Sequence, residues 1–139
     1  MICIINGPNL NLLGKREPEI YGSEDFGSCL ERLRADFPGE EIRYFQSNSE
    51  GAIIDAIQRH GFDPACRGII INPGAYSHYS IAIADAIAAV PARIVEVHIS
   101  NIHAREQYRQ RSVTAGKAAG VIAGLGLEGY RLAASYLLL

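Results

Sequence analysis

The sequence predicts a doubly wound α/β domain, a five-stranded parallel sheet with helices on both faces, formed as a single domain over residues 1–139. Three observations predict it. Short β-branched runs recur along the chain, stretches with helical spacing lie between them, and no linker or repeat divides the chain.

The runs are Ile2–Ile5, Ile42–Phe45, Gly68–Ile71 and Ile94–Val97, with a weaker fifth at Val121–Ala123. They are nearly continuous rather than alternating, as in strands covered on both faces. Phe26, Cys29, Leu30 and Leu33 recur at i, i+3, i+4 and i+7 and mark a first helix. Ser47 and Glu50 read as a capping box before a second, marked by Ala52, Ile53, Ala56 and Ile57. A third covers Ser80 to Ala89, and a last runs from about Leu127 to Leu138. Right-handed crossovers then give a parallel sheet. In the flavodoxin-like version of this architecture, ligands bind beyond the carboxyl ends of the strands, where strand order reverses.

Composition narrows the class. Of 139 residues, 48% are hydrophobic and 20% charged, which suits a globular core and not a disordered chain. A net charge of −2 gives no reason to expect nucleic acid or an anionic membrane as partner. Cys3, Cys29 and Cys66 are widely spaced without a CxxC pair, so neither a disulfide framework nor a zinc knuckle is expected. The amino terminus reads as a buried strand without a signal peptide, and the apolar runs are too short to span a bilayer. A cytoplasmic protein is the expectation.

Two connections are long, Asn6–Glu24 and Ser100–Thr114. Long loops in compact domains carry function or are disordered. The first, rich in Asn, Gly and Pro, reads as a lid over about residues 14–24.

Chemistry is sought at the strand ends, which share one edge in a parallel sheet. The first strand leads into Asn6-Gly7-Pro8-Asn9, and the third into Asn72-Pro73-Gly74-Ala75 with His78 close behind. Such turns are common scaffolding by themselves. The fourth strand carries Glu96 and His98, spaced i and i+2 and therefore on one face. A carboxylate beside an imidazole fixes its tautomer and favours its protonated form, which is what a general acid needs. Two ionisable groups in an apolar strand are costly unless used or paired. Arg16 and Tyr21 share the first loop. A free phenol titrates near pH 10, so a tyrosine base needs a cation within about 4–6 Å. On spacing alone, a loop-packing Tyr21 and a solvated Arg16 fit as well. Arg105–Arg111 reads equally as a solvated helix face with i,i+4 pairs, or as the source of a substrate-holding Arg109. Asp85 is the one charge within Ser80–Val90. A helix so apolar is most easily buried against another subunit, where Asp85 would need a partner or would serve a neighbouring site.

Two other classes fit less well. A receiver domain wants paired acids after the first strand, and a flavin carrier wants a Ser/Thr/Gly-rich phosphate loop, whereas Ile5 leads into Asn6-Gly7-Pro8-Asn9. A metal hydrolase built on His78, His98 and His103 lacks any helical ligand pair or HExxH motif.

Taken together, Ile5 to Gly14, Arg16-Glu17-Pro18 with Tyr21-Gly22, Asn72-Pro73-Gly74-Ala75 with His78, and Glu96 to Asn101 with His103-Ala104-Arg105-Glu106 resemble the type II 3-dehydroquinate dehydratase family. The likeness extends through Gly124-Leu125-Gly126 to the final helix. It implies a flavodoxin-like fold and a cofactor-free, metal-free dehydration of 3-dehydroquinate to 3-dehydroshikimate, in the shikimate route to chorismate and the aromatic amino acids. By the same resemblance Tyr21 is the base, Arg16 the residue that favours its phenolate, and Asn9 the enolate stabiliser. His98 is the general acid and Glu96 its orienting carboxylate. Asn72, His78, Arg109 and the backbone at Ile99 and Ser100 bind substrate, and Asp85 comes from an adjacent subunit. Family members form trimers that associate into dodecamers.

Overall fold

Each of the first four apolar runs closes on a polar residue that extends the strand by one position. The computed structural model describes residues 1–139. Its strands are β1 (Ile2–Asn6), β2 (Ile42–Gln46), β3 (Gly68–Asn72), β4 (Ile94–His98) and β5 (Gly120–Ala123), all parallel in the order β2-β1-β3-β4-β5. Asn6 pairs in register with Gln46 on one side and Asn72 on the other. The polar strand ends therefore line a single edge of the sheet.

Alternation along the strands feeds two apolar layers. Ile2, Ile4, Ile70, Val95 and Val97 pack with α2 (Phe26–Asp36) and α5 (Glu128–Leu137). Cys3, Ile5, Ile69, Ile71 and Ile94 pack with α3 (Glu50–Gly61) and α4 (Ile81–Ala89). The four helices and five strands expected from the sequence are thus present, as one flavodoxin-like sheet covered on both faces. No helix is long and apolar enough to cross a membrane.

Three local expectations change. The cap of α3 is Ser49, whose side chain accepts from the Ala52 N–H at 3.3 Å, and there is no Ser47–Glu50 capping box. Ser47 cannot start the helix because its own N–H is bonded to the Asn6 carbonyl at 3.1 Å, continuing β2. The lid segment is not all loop: Pro18–Tyr21 forms a one-turn helix, α1, with proline at its start where a missing N–H costs nothing. Arg105–Arg111 is not a helix face. Ile102–Ala104 and Gln107–Arg109 are separate 3-10 turns, the first capped by Asn101, which accepts from the His103 N–H. Arg109 pairs with Glu106, three residues back.

Strand order reverses between β1 and β3, so the chains leaving them part and open a crevice. At its floor the two loops touch. The Gly7 N–H donates to the Asn72 carbonyl at 2.8 Å, and a Cβ at Gly7 would lie 2.5 Å from the Pro73 carbonyl oxygen. Only glycine fits that approach.

Candidate active site

The crevice holds a cavity of about 150 Å³ walled by α1 and by the loops after β1, β3 and β4. Asn9, Arg16, Tyr21, Asn72, His78, His98, Ile99, Ser100 and Arg109 all line it, so nine of the residues singled out from the sequence meet in one place. Glu96 lies beneath, fully buried. Asp85 is the exception. It is exposed on the outer face of α4 and does not line the cavity of its own chain.

Glu96 and His98 behave as their spacing predicts. The Nε2 of His98 lies 2.7 Å from Glu96 Oε2, and a carboxylate can only accept when ionised, so Nε2 carries the proton. Nδ1 makes no bond within the chain. Burial pushes the Glu96 carboxyl up, but hydrogen bonds from His98, Thr114 and Ser112 outweigh it and hold the group below the usual carboxylate range. The residue is therefore an anion beneath the imidazole.

Tyr21 sits across the cavity at the end of α1. The guanidinium carbon of Arg16 stands 5.2 Å from its ring centroid, so the predicted pair is formed. The hydrogen bond to the phenol oxygen, however, comes from Arg105, whose Nη1 lies 2.8 Å from Tyr21 Oη and 3.4 Å from Ser100 Oγ. Arg105 stands in the motif His103-Ala104-Arg105-Glu106, and the resemblance attaches no role to it. Its signal was available: it follows the polar turn Asn101-Ile102-His103-Ala104 directly after the catalytic-looking strand.

The remaining residues complete the cavity wall. Asn9 adopts a left-handed backbone, φ 69°, which asparagine tolerates better than most residues. Its N–H donates to Asn48 Oδ1 at 3.0 Å, and its own carboxamide has no partner in the chain. His78 Nδ1 donates to the Arg111 carbonyl at 2.7 Å, which leaves Nε2 for the cavity. Asn72 is oriented from below: Nδ2 donates to Tyr130 Oη at 3.1 Å, and Oδ1 accepts from the Gly74 N–H at 3.1 Å. The backbone N–H groups of Ile99 and Ser100 make no bond within the chain and present an anion-binding pair.

A wider depression of about 650 Å³ lies on the outer side of Tyr21 and Arg105 and shares them as a wall. Asn9, Asn72, His78 and His98 line the smaller cavity. No three or more of the His, Cys, Asp and Glu side chains are grouped as metal ligands would be.

A doubly wound α/β sheet with a phenol and an imidazole lining one cavity at its switch point defines a candidate enzyme site for proton transfer. Residues 1–138 match the family model described as dehydroquinase class II. A 3-dehydroquinate dehydratase of Bacillus licheniformis is 53% identical over 137 residues, 97% of this chain and 93% of that protein. One of Halothermothrix orenii is 55% identical over 131 residues, 93% and 87% of the two chains. The crystal structure of a type II dehydroquinase from Butyrivibrio crossotus superposes with a TM-score of 0.92 at 48% identity, covering 99% of this chain and 97% of that one. The chain belongs to the class II dehydroquinase family.

Proposed function

We propose that this crevice dehydrates 3-dehydroquinate to 3-dehydroshikimate, a step toward chorismate and the aromatic amino acids, with Tyr21 as base and His98 as acid. Family membership supports the reaction. The observation that carries the residue assignment is the opposition, in one cavity, of a phenol bonded to a guanidinium and an imidazole bonded to a buried carboxylate.

The steps follow from the geometry. As phenolate, Tyr21 takes a proton from the carbon beside the ketone, and the electron pair moves to the ketone oxygen as an enolate. The Asn9 carboxamide, directly or through water, stabilises that oxygen. The enolate then reforms the carbonyl and expels the β-hydroxyl, a poor leaving group that departs as water with a proton from His98. The proton held by Tyr21 returns to His98 through solvent, which closes the cycle. General acid–base help of this kind is worth about 10²–10⁴-fold per group. Arg16 and Arg105 favour the phenolate. The Ile99 and Ser100 N–H groups suit the substrate carboxylate, while Asn72, His78 and Arg109 suit its hydroxyls. Residues 14–24, with α1, act as a lid that brings Tyr21 and Arg16 to the substrate.

Asp85 completes the site from a neighbouring subunit in a trimer, with trimers associating into a dodecamer. In support, the outer face of α4 exposes Ile81, at 69%, with Ala82, Ala88 and Ala89 around this one charge, and Tyr79 stands beside it at 63%. An apolar face of this kind calls for cover. Three unpaired cysteines suit the reducing cytoplasm.

The test is the conjugated enone absorbance that appears when purified protein meets 3-dehydroquinate. Its absence would sink the assignment of the reaction. Full activity is expected to survive exhaustive chelation, and loss restored by zinc would replace the phenolate mechanism with a metal one.

A further inference from the structure

We propose that Ser112 and Thr114 are positioning residues of the active site, which clamp both oxygens of the Glu96 carboxylate and thereby keep the proton on His98. The inference rests on the reading of His98 as the acid and adds two side chains that sequence reasoning did not single out.

Glu96 is completely buried, and a carboxylate there needs several donors. It receives three, all from side chains. Ser112 Oγ donates to Oε2 at 2.7 Å, Thr114 Oγ1 donates to Oε1, and His98 Nε2 bonds Oε2 at 2.7 Å. The Ser112 proton is directed, because the same oxygen already accepts from the Ala115 N–H at 3.0 Å. Thr114 is itself fully buried, and its hydroxyl lies 3.1 Å from that of Ser112. The two hydroxyl donors lie outside β4, on the segment that leads to β5.

That segment is tied to the other side of the site as well. The Val113 N–H donates to the Ser77 carbonyl at 2.7 Å, and the Arg111 carbonyl accepts from His78 Nδ1 at 2.7 Å. Four consecutive residues, Arg111 to Thr114, therefore hold His78 directly and His98 through Glu96. One strap sets the positions of both histidines.

A carboxyl group rotates freely about its last torsion unless its oxygens are engaged. With the hydroxyls in place, the oxygen plane is fixed under His98 and the charge stays on Glu96. Without them the anion is under-solvated, and the shared proton is better placed on Glu96. The pair then becomes a neutral acid beside a neutral imidazole, whose remaining Nδ1 proton is far less acidic than that of imidazolium. The charged and titratable groups around His98 are Glu96 on its own strand and Arg16, Tyr21, His78, Arg105 and Arg109 lining the cavity; of these the substituted hydroxyls bond only Glu96.

The experiment uses the full chain carrying Ser112→Ala, Thr114→Val, both together, and the conservative Ser112→Thr and Thr114→Ser. We expect kcat of the double variant to fall by about 10–100-fold, short of the loss of the acid itself, with KM nearly unchanged. The alkaline limb of the kcat profile should move to lower pH, and the downfield His98 ring N–H resonance, assigned with His98→Asn, should shift. Thr114→Ser should recover most of the activity. A folded double variant with kcat and alkaline limb within about twofold of the parent, and an unmoved resonance, overturns the proposal. Should Thr114→Val fail to fold, the same readouts on Ser112→Ala, whose side chain is only partly buried, decide the matter. Glu96→Gln and His98→Asn separate the two readings. If these keep turnover, the acid assignment falls and the clamp with it; if they lose turnover while the hydroxyl variants do not, only the clamp falls.

Discussion

Arg105 Nη1 donates a 2.8 Å hydrogen bond to the phenol oxygen of Tyr21, 84 residues away in sequence, while Arg16 stands over the ring of the same tyrosine without reaching its oxygen. The two cations therefore act differently. One bonds the atom that carries the charge, and the other contributes a field from the ring face. A hydrogen bond to a charged group is worth about 1.5–3 kcal/mol, or roughly 10–100-fold in rate. Arg105→Met should lower kcat/KM by that amount and move the acid limb of its pH profile upward, since a less favoured phenolate forms only at higher pH. Arg16→Met should do the same to a smaller extent. A bell-shaped profile measured for both variants checks the order, and a larger effect at Arg16 would reverse the assignment.

Tyr21→Phe removes the base and leaves the ring. Turnover should vanish, with a loss of about 10²-fold or more, while the fold and the affinity for a non-reacting substrate analogue stay near those of the parent. Calorimetric titration and the enone assay check the two halves separately. Substantial residual turnover would dismiss Tyr21 as the base.

Tyr130 is the fully buried link between Asn6 and Asn72: its hydroxyl donates to Asn6 Oδ1 at 2.8 Å and accepts from Asn72 Nδ2 at 3.1 Å. Tyr130→Phe leaves two buried amides short of a partner, and Asn6 Nδ2 already lacks one. The expected cost is about 1–3 kcal/mol of stability in urea unfolding. Because Asn72 lines the cavity, KM should rise more than kcat falls.

Asp85→Ala should weaken substrate binding, assembly, or both, and Ile81→Glu, on the same exposed face, should break assembly. Sedimentation together with KM measures each. A parent that sediments as a monomer with full activity would contradict a shared site.

Burial pushes the Cys3 thiol up to about 12 and the Cys29 thiol up to about 11, against an ordinary 9.0. Folded values above the unfolded one mean that this stability is complete below pH 9.0 and is lost as pH climbs toward 11 and 12. Urea midpoints should fall over that alkaline window, and replacing both thiols by alanine should flatten the fall. The native thiols should also resist alkylation at neutral pH, because the thiolate is the nucleophile.

Much of this architecture is written locally. Continuous runs such as Ile2–Ile5 have few alternatives to a covered strand, and the i,i+2 step of Glu96 and His98 fixes a shared face with no knowledge of the rest of the fold. Features set by distant partners were less legible. Ser47 reads as the cap until the Asn6 carbonyl, 41 positions upstream in sequence, claims its N–H, and Ser49 caps the helix instead. Arg105 belongs to a charged stretch that suits a helix, and only the Asn101 cap and the successive 3-10 turns fold it back onto Tyr21. Ser112 and Thr114 are ordinary loop residues by composition, and their value comes from a carboxylate that only the packed sheet brings beneath them.

Under the proposed mechanism, the contact of Gly7 with the Pro73 carbonyl divides the labour of the site between a fixed bed and a hinged cover. With no room for even one added carbon, the β1 and β3 exits are held in contact, whereas an added Cβ at Gly22 would meet nothing within 4 Å and is opposed there by the left-handed backbone alone, φ 84°. In a saturation library, codon 7 should come back as glycine alone, whereas the cover can be re-sequenced to alter turnover without loosening the bed on which the ligand rests.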